Sequence, residues 1–178
     1  DKSNGEYPQD EMPYKEDYHL IPKLPYDTSK AFANMITQSY TSGVLSLPIV
    51  VTWFTNIYGP GQLNFSALIP DGILSVLWYS KFSPTGDRSM MRTFYILKVV
   101  ESYISIAEFL TNDKKTFSEQ IFNAGSNTTK MVKAILENNY TIIGDIEKYH
   151  NILQKMKNKN AVYKIDWQLM DYEKIKYY

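Results

Sequence analysis

The chain has 178 residues, 44% of them apolar and 21% charged, with 19 Lys+Arg against 19 Asp+Glu. That is enough apolar chain for one domain with a buried core, and the balanced charge offers nucleic acid no basic surface. With no cysteine and only two histidines, His19 and His150, the sequence excludes disulfide scaffolds, thiol nucleophiles and Cys- or His-rich metal sites.

The opening segment, 1–25, carries four prolines and no sustained period, so it reads as a surface loop. It has no apolar stretch of the kind a signal peptide needs, and none is expected. Ala31, Phe32, Met35, Ile36 and Tyr40 then fall at helical spacing, and Gly43 suits a C-cap, which predicts a helix over 26–42. The next segment, LPIVVTWF (47–54), is short, β-branched and apolar on both faces, which predicts a central strand of a parallel sheet. No charged residue lies between Lys30 and Asp71, but polar residues recur there and Gly43 and Pro48 interrupt it, so a transmembrane helix is rejected.

A loop with Gly59, Pro60 and Gly61 follows, then a helix over 66–80 entered through Pro70. Residues 92–97 read as a strand, 98–110 as an amphipathic helix, and 119–124 as a short strand running into a turn at Gly125. Two helical stretches, 128–138 and 145–157, precede a Lys/Tyr-rich end that reads as solvated surface. Helix and strand alternate, so the fold class is α/β.

No GxGxxG turn is present to cradle a dinucleotide pyrophosphate, and no G-x-S-x-G turn to present a catalytic serine. One pattern carries chemistry: Tyr26-Asp27-Thr28-Ser29-Lys30, a Y-x-x-x-K. In a chain with 15 tyrosines such a pair arises by chance, and Tyr172 with Lys176 forms a second in the terminal tail. Context separates them, because Tyr26 and Lys30 open a helix that leads into a buried strand. Four residues apart on a helix, the two side chains share a face. An ammonium close to a phenol favours the phenolate, and a phenolate can take a proton from a sugar hydroxyl.

The blocks PYDTSKAFANMITQSY (25–40), LPIVVTWFTNIYGPGQLNFSALIP (47–70) and VVESYISIAEFL (99–110) resemble consecutive segments of extended short-chain dehydrogenases/reductases. Within that superfamily they are most similar to NAD-dependent nucleotide-sugar dehydratases of the CDP-glucose 4,6-dehydratase type. Asp1, Lys2 and Gly5 resemble that family's S-D-K-x-Y-G segment, and FNAGSN (122–127) a late strand and turn. The resemblance runs from residue 1 to about 127. Residues 128–178 carry no segment that matches it.

The resemblance implies the C-terminal part of a Rossmann-like NAD(P)-binding fold with a smaller, mixed α/β substrate-side portion. Residues 1–64 would be the C-terminal half of the nucleotide-binding domain, 65–127 the substrate-binding portion, and 128–178 a divergent helical tail. It implies a cytoplasmic enzyme using NAD on a nucleotide-sugar, with no membrane or nucleic-acid partner. A homodimer through the 26–42 helix is implied as well. Tyr26 would be the base at the sugar C4, and Lys30 its partner and a ligand of the cofactor ribose. Asp1 would be the acid at C6 and Lys2 a base. Asn56, Asn64 and Arg92 would bind substrate.

Departures from the family pattern cluster where arginines are expected. Trp53 and Ala67 stand at two such positions, Gln62 replaces an aspartate, and the R-D-Y-x-Y-V strand appears as Met91-Arg92-Thr93-Phe94-Tyr95-Ile96. A related epimerase or reductase, or a non-catalytic binding remnant, would use the same scaffold. The isolated chain is expected to be partial or inactive.

Overall fold

The computed structural model describes residues 13–42, 44–78, 90–126, 128–147, 150–151, 167–168, 170–171 and 173–174. Helix α1 spans Pro25–Thr41, within a residue of the predicted bounds. Pro25 occupies the first turn, where its missing N–H costs nothing. The Leu24 N–H donates to the Asp27 carboxylate at 3.1 Å, closing the helix start. At the other end the Ser42 N–H donates to the Gln38 carbonyl; Gly43, the expected cap, lies outside the described residues. The buried face of α1 consists of Asp27, Ala31 and Thr41, whereas Phe32, Met35 and Ile36 are 57%, 59% and 57% exposed. Of the apolar stripe that announces the helix, Ala31 alone lies on the face it packs with.

Strand β1, Val51–Phe54, starts four residues later than predicted, after Pro48, which has no N–H to donate to a ladder. It pairs in parallel with β4, Ile121–Ala124, in the register Val51↔Ile121 to Phe54↔Ala124. The parallel pairing agrees with the sequence reading. Among the described residues β1 and β4 form a two-stranded sheet, and no strand lies on the other side of β1. Strand β4 itself begins two residues later than expected, because Glu119 sits at φ +69°, outside the extended region.

The ladder ends at Thr55, whose N–H donates to the Ala124 carbonyl. The next residues, Asn56–Tyr58, form β2 in a different sheet. There β2 pairs in parallel with β3, Met90–Tyr95. Strand β3 also pairs antiparallel with β5, Thr129–Met131, and in parallel with β6, Trp167–Gln168. Helices α2 (Leu68–Trp78), α3 (Ile96–Asn112), α4 (Lys114–Phe117) and α5 (Val132–Ile143) complete the order. The predicted helix from 128 thus begins as a strand. Residues 146–147 and 150–151 are helical, and the rest of the predicted 145–157 helix lies outside the described residues. No described helix is long and apolar enough to cross a membrane.

Sheet pairing crosses the expected boundary at 64/65, since β1 lies before it and β4 after. It also draws the 128–178 segment into the second sheet through β5 and β6. Nor is the opening segment wholly a surface loop. Tyr14 is 1% exposed and bridges Met170. Its carbonyl accepts from Asn123 Nδ2 at 2.9 Å, while Glu16 Oε1 accepts from the Asn123 N–H at 2.8 Å. Lys174 Nζ donates to the Ile121 carbonyl at 2.8 Å. These contacts close the outer edge of β4, and a closed edge is what protects a sheet from unwanted pairing.

Helices α2 and α5 meet at Gly72, where an added Cβ would come within 3.0 Å of Leu136. One turn along, the Ser75 and Tyr140 hydroxyls lie 2.6 Å apart, both residues fully buried. Burial pushes the Tyr140 phenol above its ordinary range.

At Gly59 the backbone is closely approached: a Cβ there would lie 2.3 Å from Ile96 Cγ2 and 3.0 Å from Ile96 Cβ. Gly59→Ala should therefore force apart the turn after β2 and the start of α3. The expected cost is about 1–3 kcal/mol, read as a lower urea midpoint with an unchanged slope.

Candidate active site

Helix α1 carries Tyr26 and Lys30 on one face, and the structure places Lys30 Nζ 5.4 Å from the centre of the Tyr26 ring. The Asp27 carboxylate, buried behind them, holds the helix start that positions Tyr26. Both side chains line a cavity of about 450 Å³ between α1 and β1. Ala33, Asn34 and Thr37 continue the α1 wall, and Val51, Thr52, Trp53 and Phe54 form the facing wall. Tyr26 is 63% exposed, so solvent screens its attraction to the ammonium; covering the site would strengthen it.

Asn34 was not singled out by sequence reasoning. It lies four residues after Lys30, so the Y-x-x-x-K spacing extends along the same face. Its Oδ1 is buried with no hydrogen-bond partner among the described residues. Trp53, which stands where the family pattern has an arginine, is only half-buried and faces this cavity. Its position was legible from the strand; its exposure to the cavity was not, because that depends on what lies beside β1.

A second cavity, of about 320 Å³, is lined by Asn56, Tyr58, Gln62, Asn64, Ala67 and Pro70 among others. Ile57 lines both cavities, so the two meet across β2. The structure therefore brings Asn56 and Asn64 together, one step from Tyr26 and Lys30. Asn64 Oδ1 accepts from the Ser66 N–H at 3.2 Å and lies 2.7 Å from the Ser66 hydroxyl, so its oxygen is spent on the loop. Arg92 lies on β3 opposite Thr129, next to Thr93, the register partner of Asn56. Asp1 and Lys2 lie outside the described residues. Among the described residues no three His, Cys, Asp or Glu side chains gather as a metal site.

Asp71, in the first turn of α2 beside Pro70, has its carboxyl raised above the usual range by burial.

Residues 5–176 match the family model described as GDP-mannose 4,6 dehydratase. The chain belongs to that family. The match corrects the expectation that resemblance stops near residue 127, since it takes in the 128–178 segment, as does the pairing of β5 and β6. A dTDP-D-glucose 4,6-dehydratase of Homo sapiens is 33% identical over 107 residues, covering 60% of this chain and 28% of that protein. A trifunctional UDP-glucose 4,6-dehydratase, 3,5-epimerase and reductase of Arabidopsis thaliana is 34% identical over 85 residues, covering 47% of this chain and 12% of that one.

The structure of dTDP-glucose 4,6-dehydratase from Bacillus anthracis in complex with NAD superposes with a TM-score of 0.68 at 26% identity, covering 91% of this chain and 48% of that one. A UDP-N-acetylglucosamine 4-epimerase of Methanobrevibacter ruminantium superposes at 0.75 with 18% identity, which shows a shared fold. The Rossmann-like α/β class is thereby established. The named relatives are dTDP- and UDP-glucose 4,6-dehydratases, not CDP-glucose ones. The chain spans about half the length of these solved relatives, and the matched part is a smaller share still of the curated ones.

Two predictions follow from the local chemistry. Asp27→Ala removes the carboxylate that closes α1 and should cost about 1 kcal/mol, with fraying at Tyr26 visible as faster amide exchange at the helix start. For Asp71 the folded pKa is raised, so its charged form destabilises the fold once pH passes the unfolded value of about 3.9. Asp71→Asn should therefore raise the unfolding midpoint at pH 7, and the gain should vanish as pH falls below that value.

Proposed function

We propose that this chain carries the catalytic and substrate-side half of an NAD-dependent nucleotide-sugar 4,6-dehydratase. The observation that carries the reading is Lys30 standing 5.4 Å from the Tyr26 ring on the wall of a cavity, next to a second cavity that holds Asn56 and Asn64.

Tyr26 takes the proton from the sugar C4 hydroxyl as that carbon is oxidised to a ketone. Lys30 stabilises the negative charge on the phenolic oxygen before the transfer. Its ammonium, with three donors, also suits the hydroxyls of a ribose. NAD, when bound, accepts the two electrons that leave C4 and later returns them to the sugar. The residues present fit the nicotinamide-ribose end of that cofactor; with no GxGxxG turn in the sequence, they offer its pyrophosphate nothing by that route.

With C4 a ketone, the C5 proton is acidic enough for Lys2 to remove, and Asp1 protonates the C6 hydroxyl as it leaves as water. Asn56 holds the sugar, while the Asn64 amide nitrogen and Arg92 hold the nucleotide end. The CDP assignment rests on the resemblance of the sequence blocks, with Asp1, Lys2 and Gly5, to that type of dehydratase.

The test is turnover with CDP-, dTDP- and UDP-glucose in the presence of NAD and a cofactor-binding half, following reduced cofactor and 4-keto-6-deoxy product separately. The chain by itself should be inactive. In the complemented enzyme, Tyr26→Phe should lower turnover by about 10²–10⁴-fold with the fold intact. Lys30→Met should weaken both NAD binding and rate. Asp1→Asn should accumulate reduced cofactor without product. Near-full activity in Tyr26→Phe would overturn the assignment.

A further inference from the structure

Alternate residues of a strand project from one face of its sheet and bond to one neighbour. The Val51 and Thr55 N–H groups both donate to the β4 side, to the Gln120 and Ala124 carbonyls. Val51, Trp53 and Thr55 therefore share a face. Trp53 stands opposite Asn123 in the parallel register, which puts Asn123 on that face as well. Thr55 and Asn123 are diagonal neighbours, one strand across and two residues along.

Each ends in an oxygen with no hydrogen-bond partner among the described residues. Asn123 is wholly buried; its Nδ2 donates to the Tyr14 carbonyl at 2.9 Å, but its Oδ1 accepts nothing. Thr55 Oγ1 is buried too, and no direct bond joins it to Asn123. A buried oxygen left unpaired carries its full desolvation penalty, so native proteins satisfy such groups with an ordered water or an ion.

The spacing and the chemistry both select water. Strands about 4.8 Å apart with a rise of about 3.3 Å per residue separate the two Cβ atoms by roughly 8 Å. After the reach of the side chains, that leaves about two hydrogen bonds of about 2.8 Å each, the span of one bridging molecule. An amide oxygen only accepts, whereas a hydroxyl donates and accepts. A water gives a proton to Asn123 and takes one from Thr55. Two neutral oxygens are too few for a divalent cation, which takes six or more oxygen ligands.

We infer that a buried water bridges Thr55 Oγ1 and Asn123 Oδ1 and pins the point where the chain leaves the β1–β4 ladder for β2. Thr55 makes the last bond of that ladder, and Asn56, on the wall of the second cavity, follows it directly. Thr55 is thus a positioning residue for Asn56. The same water ties the switch to Tyr14 and Glu16, which hold the Nδ2 and backbone N–H of Asn123. The site stands on burial and register, independently of the activity proposed above.

The test is magnetisation transfer from water in the isotopically labelled full chain. The Thr55 methyl group and the Asn123 side-chain amide should both show the cross-relaxation of a long-held water. Thr55→Val keeps the outline of the side chain and removes its hydroxyl. It should abolish both signals, lower the urea midpoint with an unchanged slope, and speed exchange of the Thr55-position amide about tenfold. Thr55→Ser restores a hydroxyl and should recover all three. Circular dichroism checks that both variants fold.

Absence of the water signals in the unsubstituted chain would overturn the inference, and so would their survival in Thr55→Val. Unchanged stability and exchange in Thr55→Val would overturn it as well, because a hydroxyl that holds no water is lost at no cost. Stabilisation of the chain by sodium or potassium at constant ionic strength, abolished in Thr55→Val, would make the ligand a cation and defeat the assignment.

Discussion

The parallel pairing of β1 with β4 is the constraint on which the rest of the molecule depends. It joins Val51–Phe54 to Ile121–Ala124 across some seventy residues of chain, so everything between them must leave the sheet and return. A contact this distant in sequence costs loop-closure entropy before it returns any pairing energy. Closure of the β4 edge by Tyr14, Glu16 and Lys174, drawn from both ends of the described chain, secures it. Phe122, buried with its ring tilted against Phe117 at 6.4 Å, ties the strand to the helix that precedes it.

From that pairing the site follows. At Thr55 the chain changes sheets, and three residues later it has formed β2 against β3. The switch places the Tyr26 cavity and the Asn56 cavity back to back, with Ile57 in both walls. The Tyr26 and Lys30 pair on its helix and the Asn56 cavity at a strand end thus share a wall at Ile57. Gly59 lets α3 approach closely enough for Ile96 to pack where a side chain would otherwise stand. The arrangement of the two cavities is a consequence of where strands hand over, not of a single motif.

Much of this was legible in the residues. Tyr26 and Lys30 could be placed on one helix face because four residues is close to one turn, and Pro25 marks where that turn begins. The β-branched run before Phe54 announced a parallel strand, and α3 showed its period plainly. The short strands were not legible: β2, β5 and β6 have three, three and two residues, too few for any alternation to register. β5 was masked further by the helical pattern of the residues that follow it. Asn34 was missed because a lone asparagine on a helix carries no signal until the cavity beside it is known.

By itself the sequence determined the α/β class, the Tyr/Lys pair and its helix, and the family to which the chain belongs, since local periodicity and motif spacing need no knowledge of distant partners. Only the tertiary structure decided that the outer edge of β4 is closed while β1 pairs on one side alone among the described residues, that β5 and β6 join the second sheet, and that Asn64 spends its oxygen on its own loop. Those are questions of which backbone groups find partners. The alternation of apolar residues that predicts a strand is the same whether one edge is paired or both, so the answer lies in the ladder and not in the pattern.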